Sequence, residues 1–212
     1  MKVDIWSDVR CPFCYIGKRK FESALAEFEH KEAIEVEWHS FELDQNMVTV
    51  LDKSSEEYLA ERYGKSREWA AESHKHVTEA AAEVGLNFNL GQSIVANSFD
   101  AHRLIQLAKS KGLGDEIEEA LFKAYFTDGK NISDPASLVE IGVQAGLEAT
   151  EITAVLNSDH FTDEVRYDEK TAETIGVRGV PFFVFNEKLA VSGAQPSETF
   201  LGALKQAWEG QS

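Results

Sequence analysis

The spacing of hydrophobic and polar positions changes period several times along the chain, and each change predicts an element. Residues 2–7 alternate, which predicts a strand. From Pro12 the period lengthens: Cys14, Phe21, Leu25 and Phe28 recur on one helical face as far as about Glu29, with Lys18, Glu22 and Glu29 off it. Pro12 suits the first turn of that helix, where its missing N–H costs nothing. Ile34, Val36 and Trp38 then alternate with Glu35, Glu37 and His39 as a second strand. The first stretch is therefore βαβ.

From about Asn46 to Ser158 helical patterns follow one another with no convincing strand between them. Ser66 opens a run ending near Gly85, and Asn97 or Ser98 opens one ending before Gly112. Asp115 with Glu118 reads as a capping box, Asp134-Pro135 opens a run ending at Gly146, and Thr150 begins a short one. Phe161, Val165, Asp168, Ala172 and Ile175 line a further helix stopped by Gly176. Strands return at Pro181-Phe182-Phe183-Val184-Phe185 and Leu189-Ala190-Val191 around Asn186-Glu187-Lys188, an antiparallel hairpin, and Pro196-Ser197 begin a last helix ending near Trp208. The order is α/β, a βαβ…αββα frame interrupted by a helical insertion: 1–45 and 159–212 form the frame and 46–158 the insertion.

A chain of 212 residues can bury a substantial core without covalent staples. Its net charge of −16 disfavours nucleic acid or an anionic membrane as partner, since both would be repelled. Lys18-Arg19-Lys20, the densest basic run, reads as a solvated helix face. No stretch approaches the roughly 20 apolar residues needed to cross a bilayer, and the start lacks a basic segment followed by an apolar run, so a cytoplasmic location is expected.

The two cysteines are Cys11 and Cys14. Random placement puts a pair three apart about 1% of the time, and so short a loop removes little entropy from the unfolded chain, which makes a structural staple a poor reading and reactivity a better one. A cysteine just before a helix points its sulfur at unpaired N–H groups and the positive end of the dipole, which favours thiolate and makes Cys11 the nucleophile. Cys14, one turn further in, is placed to attack a mixed disulfide on Cys11 and is the resolving thiol. A zinc site would need two more ligands, and His74 and His76 face different ways on a helix, so no metal is expected.

Ser7-Asp8-x-x-Cys11-Pro12-Phe13-Cys14, Asn97-Ser98-Phe99-Asp100-Ala101-His102-Arg103, Gly179-Val180-Pro181-Phe182-Phe183-Val184-Phe185 and Ser192-Gly193-Ala194-Gln195-Pro196 together resemble the DsbA-like thiol–disulfide oxidoreductases of the thioredoxin fold, and among them the FrnE-like cytoplasmic branch. The resemblance implies that Pro181 is cis and faces the cysteine pair, and that the backbone of Val180 holds an extended substrate by β-type hydrogen bonds. Phe13, Tyr15 and Phe182 would extend an apolar platform, although Tyr15 and Phe182 serve equally well as core. His102 is a candidate to touch substrate or tune Cys11, or is a satisfied interdomain histidine; Arg178 stands on the same footing. Asn97 or Ser98 is accounted for as an N-cap, and Arg103 as a solvated or paired helix residue.

Two positions depart from the family pattern. Ile5 stands where thioredoxin-like proteins often carry a buried acid, with Asp4 and Asp8 near but not equivalent. Phe13 stands where strongly oxidising relatives place histidine and cannot donate a hydrogen bond to sulfur, so a less oxidising couple is expected.

The expected activity is dithiol–disulfide exchange in the reductase or isomerase direction. Disulfide-bearing proteins or small molecules would be substrates, glutathione or a thioredoxin system the thiol donor, and no bound cofactor would be needed. Two alternatives stand beside it. One is a glutathione-dependent transferase or isomerase of the kappa-class type, whose members typically have serine in place of Cys11 and an acidic residue where this chain reads Ala194-Gln195. The other is a non-catalytic chaperone-like module. Homodimerisation is left open.

Overall fold

The computed structural model describes residues 1–210. The chain divides into two compact units, 1–43 with 162–212, and 44–161; the sequence placed the breaks at 45/46 and 158/159.

In the first unit, β1 (Lys2–Ser7), β2 (Glu35–Ser40), β3 (Phe182–Phe185) and β4 (Leu189–Ser192) form one sheet in the order β2-β1-β3-β4. β1 pairs parallel with β2 and antiparallel with β3. The parallel pair requires a crossover, supplied by α1 (Pro12–Glu27). The hairpin between β3 and β4 closes through Asn186 and Glu187, both at positive φ, the mirror-image geometry that follows the natural strand twist.

Alternation along the strands feeds two cores. Val3, Ile5, Phe183 and Phe185 pack with Phe21 and Ala24 of α1, with Phe28 just past its end, and with Phe200, Ala203 and Leu204 of the last helix, Ser197–Glu209. Phe21 is the hub, its ring centroid 5.6 Å from Phe183, 6.2 Å from Phe185 and 5.9 Å from Phe200. Such aromatic pairs are each worth roughly 0.5–1.5 kcal/mol beyond their area. On the opposite face Trp6 packs with Ala172 and Val177, joined by Phe41, Val180, Phe182 and Val184.

The second face is fastened by a charged network. His39 Nδ1 lies 2.8 Å from Asp168 Oδ1 and its Nε2 2.8 Å from Asp4 Oδ1, while its ring stacks on Trp6 at 4.5 Å. The other Asp168 oxygen accepts from the Ser40 N–H at 2.9 Å, and the Trp6 indole donates to the Asp168 carbonyl at 3.1 Å. Asp168 thus ties the helix Thr162–Ile175 to β1 and β2.

The second unit is helical, with α2 (Ser55–Tyr63), α3 (Arg67–Ala82), α4 (Phe99–Ser110), α5 (Gly114–Phe126), α6 (Pro135–Gln144) and α7 (Ala149–Leu156) among the described residues. The helices Thr162–Ile175 and Ser197–Glu209 of the first unit are α8 and α9. Residues of the second unit contribute one isolated bridge, Val50 to Val95.

Several local expectations need correction. α2 had no counterpart in the sequence reading, although Ser54 and Glu57 form a reciprocal capping box at its start. Asp115 and Glu118 form no such box: α5 begins two residues earlier, at Gly114 with Leu113 as its cap, and Glu118 is buried. α7 begins at Ala149, one residue before Thr150. Phe161 precedes α8 in a left-handed conformation and Ile175 is exposed, so the inward stripe is Val165, Asp168 and Ala172. Lys18 is almost fully buried, not solvated. It lies four residues after Cys14, close to the inward face, so its stem is covered while its ammonium reaches Glu22.

Candidate active site

β1 ends at Ser7 and α1 begins at Pro12, so the sulfur-bearing positions sit at a strand-to-helix corner. Asp8 shapes that corner. Its buried carboxylate accepts the Arg10 N–H at 3.0 Å through Oδ1 and the Leu43 N–H at 2.8 Å through Oδ2, and its carbonyl accepts the Cys11 N–H at 2.9 Å. Cys11 is the N-cap of α1, in extended conformation with its side chain making no cap bond. The sulfur is thereby left for other partners.

Its partner comes from the other end of the chain. The Cys11 thiol donates to the Val180 carbonyl at 3.5 Å, within the longer reach of sulfur. The Val180–Pro181 bond is cis, as the resemblance implies. Pro181 precedes β3 by one residue, and its carbonyl accepts the Gly193 N–H at 2.8 Å. Its ring rests on Gly17 of α1: a Cβ at that position would lie 2.9 Å from Pro181 Cγ and 3.6 Å from Ala194. Lys20 also donates to the Ala194 carbonyl at 3.1 Å. Gly17 and Lys20 therefore dock two loops beside the cysteine corner.

Both cysteines are free thiols. Cys11 keeps 5% exposure and Cys14 none, a difference that decides which sulfur a substrate reaches. Burial pushes the Cys14 thiol well above its ordinary range, and a hydrogen bond shared with Cys11 adds to the effect. The Asp8 N–H and Ser7 hydroxyl act in the opposite sense.

The remaining candidates are scattered. Phe13 is 47% exposed beside the pair, free to meet a ligand. Tyr15 is buried with the Arg19 guanidinium 5.0 Å from its ring centre, which makes it packing. Phe182 is half-buried in the Trp6 cluster. His102 is fully buried in α4, a helix of the second unit, and Arg178 is exposed. The Asn97 side chain accepts the Phe99 N–H at 2.8 Å and so performs the capping, not Ser98. Arg103 is paired and buried, bound to the carbonyls of Val155, Ser158 and His160 and to Asp100.

Asp4, Glu37 and His39 bring potential metal-ligand atoms within 4.8 Å of one another. Lys2 Nζ, however, lies 2.8 Å from Asp4 and 2.6 Å from Glu37, and both ring nitrogens of His39 are engaged by carboxylates. An ammonium already neutralises the acids there.

The family described as DSBA-like thioredoxin domain matches residues 2–205. The chain belongs to that family. Its sheet order, cysteine corner and helical insertion are those of a thioredoxin-like DsbA fold. A probable DsbA oxidoreductase of Streptomyces coelicolor, known as a crystal structure, is 42% identical with a TM-score of 0.94, covering 99% of this chain and 90% of that one. The uncharacterized protein YwbO of Bacillus subtilis is 26% identical, covering 95% of this chain and 94% of its own length. The cytosolic disulfide reductase DsbM of Pseudomonas aeruginosa, solved with GSH, shares the fold at 18% identity and a TM-score of 0.67, over 100% of this chain and 98% of that one.

Sequence reasoning named Ser7 and Asp8 only as motif positions, with no role for either beyond Asp8 as a nearby acid, and missed Gly17 as part of this DsbA-like site. Gly17 carried no local signal, because a helix-interior glycine is explained only by what packs on it. Asp8 did: an aspartate two residues before an N–H that must turn is a common side-chain turn. No helix among the described residues is long and apolar enough to cross a membrane.

Proposed function

We propose that this protein is a dithiol–disulfide oxidoreductase working chiefly in the reducing or isomerising direction, in a thiol-buffered cytoplasm. The observation that carries the reading is the pairing of Cys11, which keeps slight exposure and whose sulfur lies 3.5 Å from the Val180 carbonyl, with a fully buried Cys14 three residues on.

Cys11, as thiolate, attacks one sulfur of a substrate disulfide and forms a mixed disulfide while the other substrate sulfur leaves as thiolate and takes a proton. Cys14 then loses its proton and attacks the Cys11 sulfur. The second substrate thiolate departs, Cys11 and Cys14 become a disulfide, and two electrons have passed to the substrate. An external thiol, glutathione or a thioredoxin-type donor, returns the pair to the dithiol. The Val180 backbone and the Pro181 ring form the rail on which an extended disulfide-bearing segment lies, with Phe13 as an apolar contact; no bound cofactor is required.

The fold relative whose name describes a cytosolic disulfide reductase with GSH is in keeping with a small-thiol donor. The expected FrnE-like assignment rests on the motif residues alone. Replacement of Cys14 by serine in the presence of a disulfide peptide tests the scheme. It should leave a stable adduct on Cys11, resolved by added dithiothreitol, whereas Cys11→Ala should form none. Disulfide exchange that persists in Cys11→Ala would overturn it, and glutathione conjugation surviving in that variant would favour the kappa-class alternative.

A further inference from the structure

Ser7 ends β1 on the face that Val3 and Ile5 share with α1, opposite the first helical turn that carries Cys14. Its hydroxyl is completely buried and meets no nitrogen or oxygen partner among the described residues. Leaving a buried hydroxyl without an acceptor is unfavourable, and Ala in its place would avoid the penalty. The nearby group on which it acts is the Cys14 sulfur, whose charged form the Ser7 hydroxyl and the Asp8 N–H both favour. A neutral thiol is a weak acceptor; a thiolate is a strong one.

Resting on the exchange scheme above, we propose that the Ser7 hydroxyl and the Asp8 N–H form a two-donor hole for the Cys14 thiolate, which makes Ser7 a catalytic residue of the resolving step. When a mixed disulfide occupies Cys11, the Cys14 thiol must give up a proton inside a buried pocket that penalises charge. The donors receive the developing anion. As Cys14 attacks Cys11 the negative charge leaves with the substrate sulfur, which takes up the proton, and Ser7 returns to its unpaired state. The hydroxyl is thus mismatched to the resting dithiol and matched to the reacting form, which is where a donor accelerates a step.

The test is the pH profile of iodoacetamide alkylation of Cys14 in a Cys11→Ala background, with and without Ser7→Ala. Loss of the donor should move the alkylation midpoint up by about one pH unit and slow alkylation at pH 8 about tenfold. Ser7→Thr should restore most of the rate. A purely structural role predicts the opposite sign, because loosened packing would expose Cys14 and speed its alkylation. Profiles that coincide, or a faster Ser7→Ala, would overturn the proposal. The readout needs no substrate, so it stands or falls apart from the exchange scheme. Under that scheme, Ser7→Ala in the wild-type background should accumulate the Cys11 mixed disulfide while its formation rate is unchanged. Equal accumulation in both proteins would remove Ser7 from the resolving step.

Discussion

Gly17 and Pro181 touch so closely that a single methyl group at Gly17 would stand 2.9 Å from the proline ring. The contact sets how far the Val180–Pro181 rail stands from α1, and with it the 3.5 Å approach of Val180 to the Cys11 sulfur.

Gly17→Ala should therefore push the rail outward. Helix propensity alone would favour alanine by about 1 kcal/mol, but the overpacking costs roughly 1–3 kcal/mol. The expected result is unchanged or lowered stability with at least a several-fold slower disulfide exchange, read by thermal melting and by reduction of a disulfide peptide. Full activity in Gly17→Ala would show that the spacing does not matter.

The Asp4–His39–Asp168 network should set the acid limit. Burial pushes Asp4 up, but hydrogen bonds from His39 and Lys2 outweigh it and hold the carboxyl below its ordinary value. A depressed acid stabilises the fold above its unfolded pKa of about 3.9 and loses that contribution as pH falls through the lower folded value. Asp4→Asn should cost roughly 1–3 kcal/mol at pH 7 by leaving His39 and Lys2 a neutral acceptor in place of a charged one and should flatten the stability curve below about pH 4. Urea titrations across pH 2–7 measure both; an unchanged acid limb would contradict the assignment.

The alkaline limb should depend on redox state. Cys14 is held protonated by burial, whereas in the unfolded chain a thiol ionises near pH ~8.5. Above that pH the unfolded state binds fewer protons, so the reduced protein should lose up to about 1.4 kcal/mol per pH unit. The disulfide form, with no thiol to ionise, should lack this slope. Melting curves of both forms between pH 7 and 10 check it, and parallel curves would argue against a protonated Cys14.

Arg103 should be a structural keystone of the helical unit. It binds three carbonyls between Val155 and His160, so Arg103→Ala should cost about 2–4 kcal/mol and Arg103→Lys should recover little, since an ammonium lacks the planar fork. Urea midpoints give the answer; a Lys variant as stable as wild type would refute the geometric argument.

Local chemistry was legible in the sequence and distant packing was not. Pro12 at the helix start, Gly176 at the end of α8 and Asn186 in the hairpin each act within a few residues of where they stand, so pattern and turn chemistry place them. Lys18 failed because its angular position on α1 is marginal and only the covering atoms decide its burial. α2 failed for the opposite reason: SEEYLAERY is too polar to show a stripe, although the Ser54–Glu57 cap was written in the sequence. His39 meeting Asp168 across 129 residues and Gly17 meeting Pro181 are products of the fold, invisible before it. At the site, Cys11 and Cys14 declare themselves by spacing, whereas Ser7 stands in the motif without a role until its hydroxyl is found buried and unpartnered.

The direction of exchange is the claim on which the account turns, and the reduction potential of the Cys11–Cys14 couple measures it. A potential near that of the strongly oxidising periplasmic relative, about −120 mV, requires a reduced form stabilised by donors at the thiolate. Phe13 carries no donor and Cys14 is kept neutral by burial. Equilibration against glutathione buffers, followed by alkylation and mass measurement, should give a value more negative than about −180 mV, in the range of isomerases and reductases. A value near −120 mV would contradict the reducing role, and a pair that never forms a disulfide would contradict the mechanism itself.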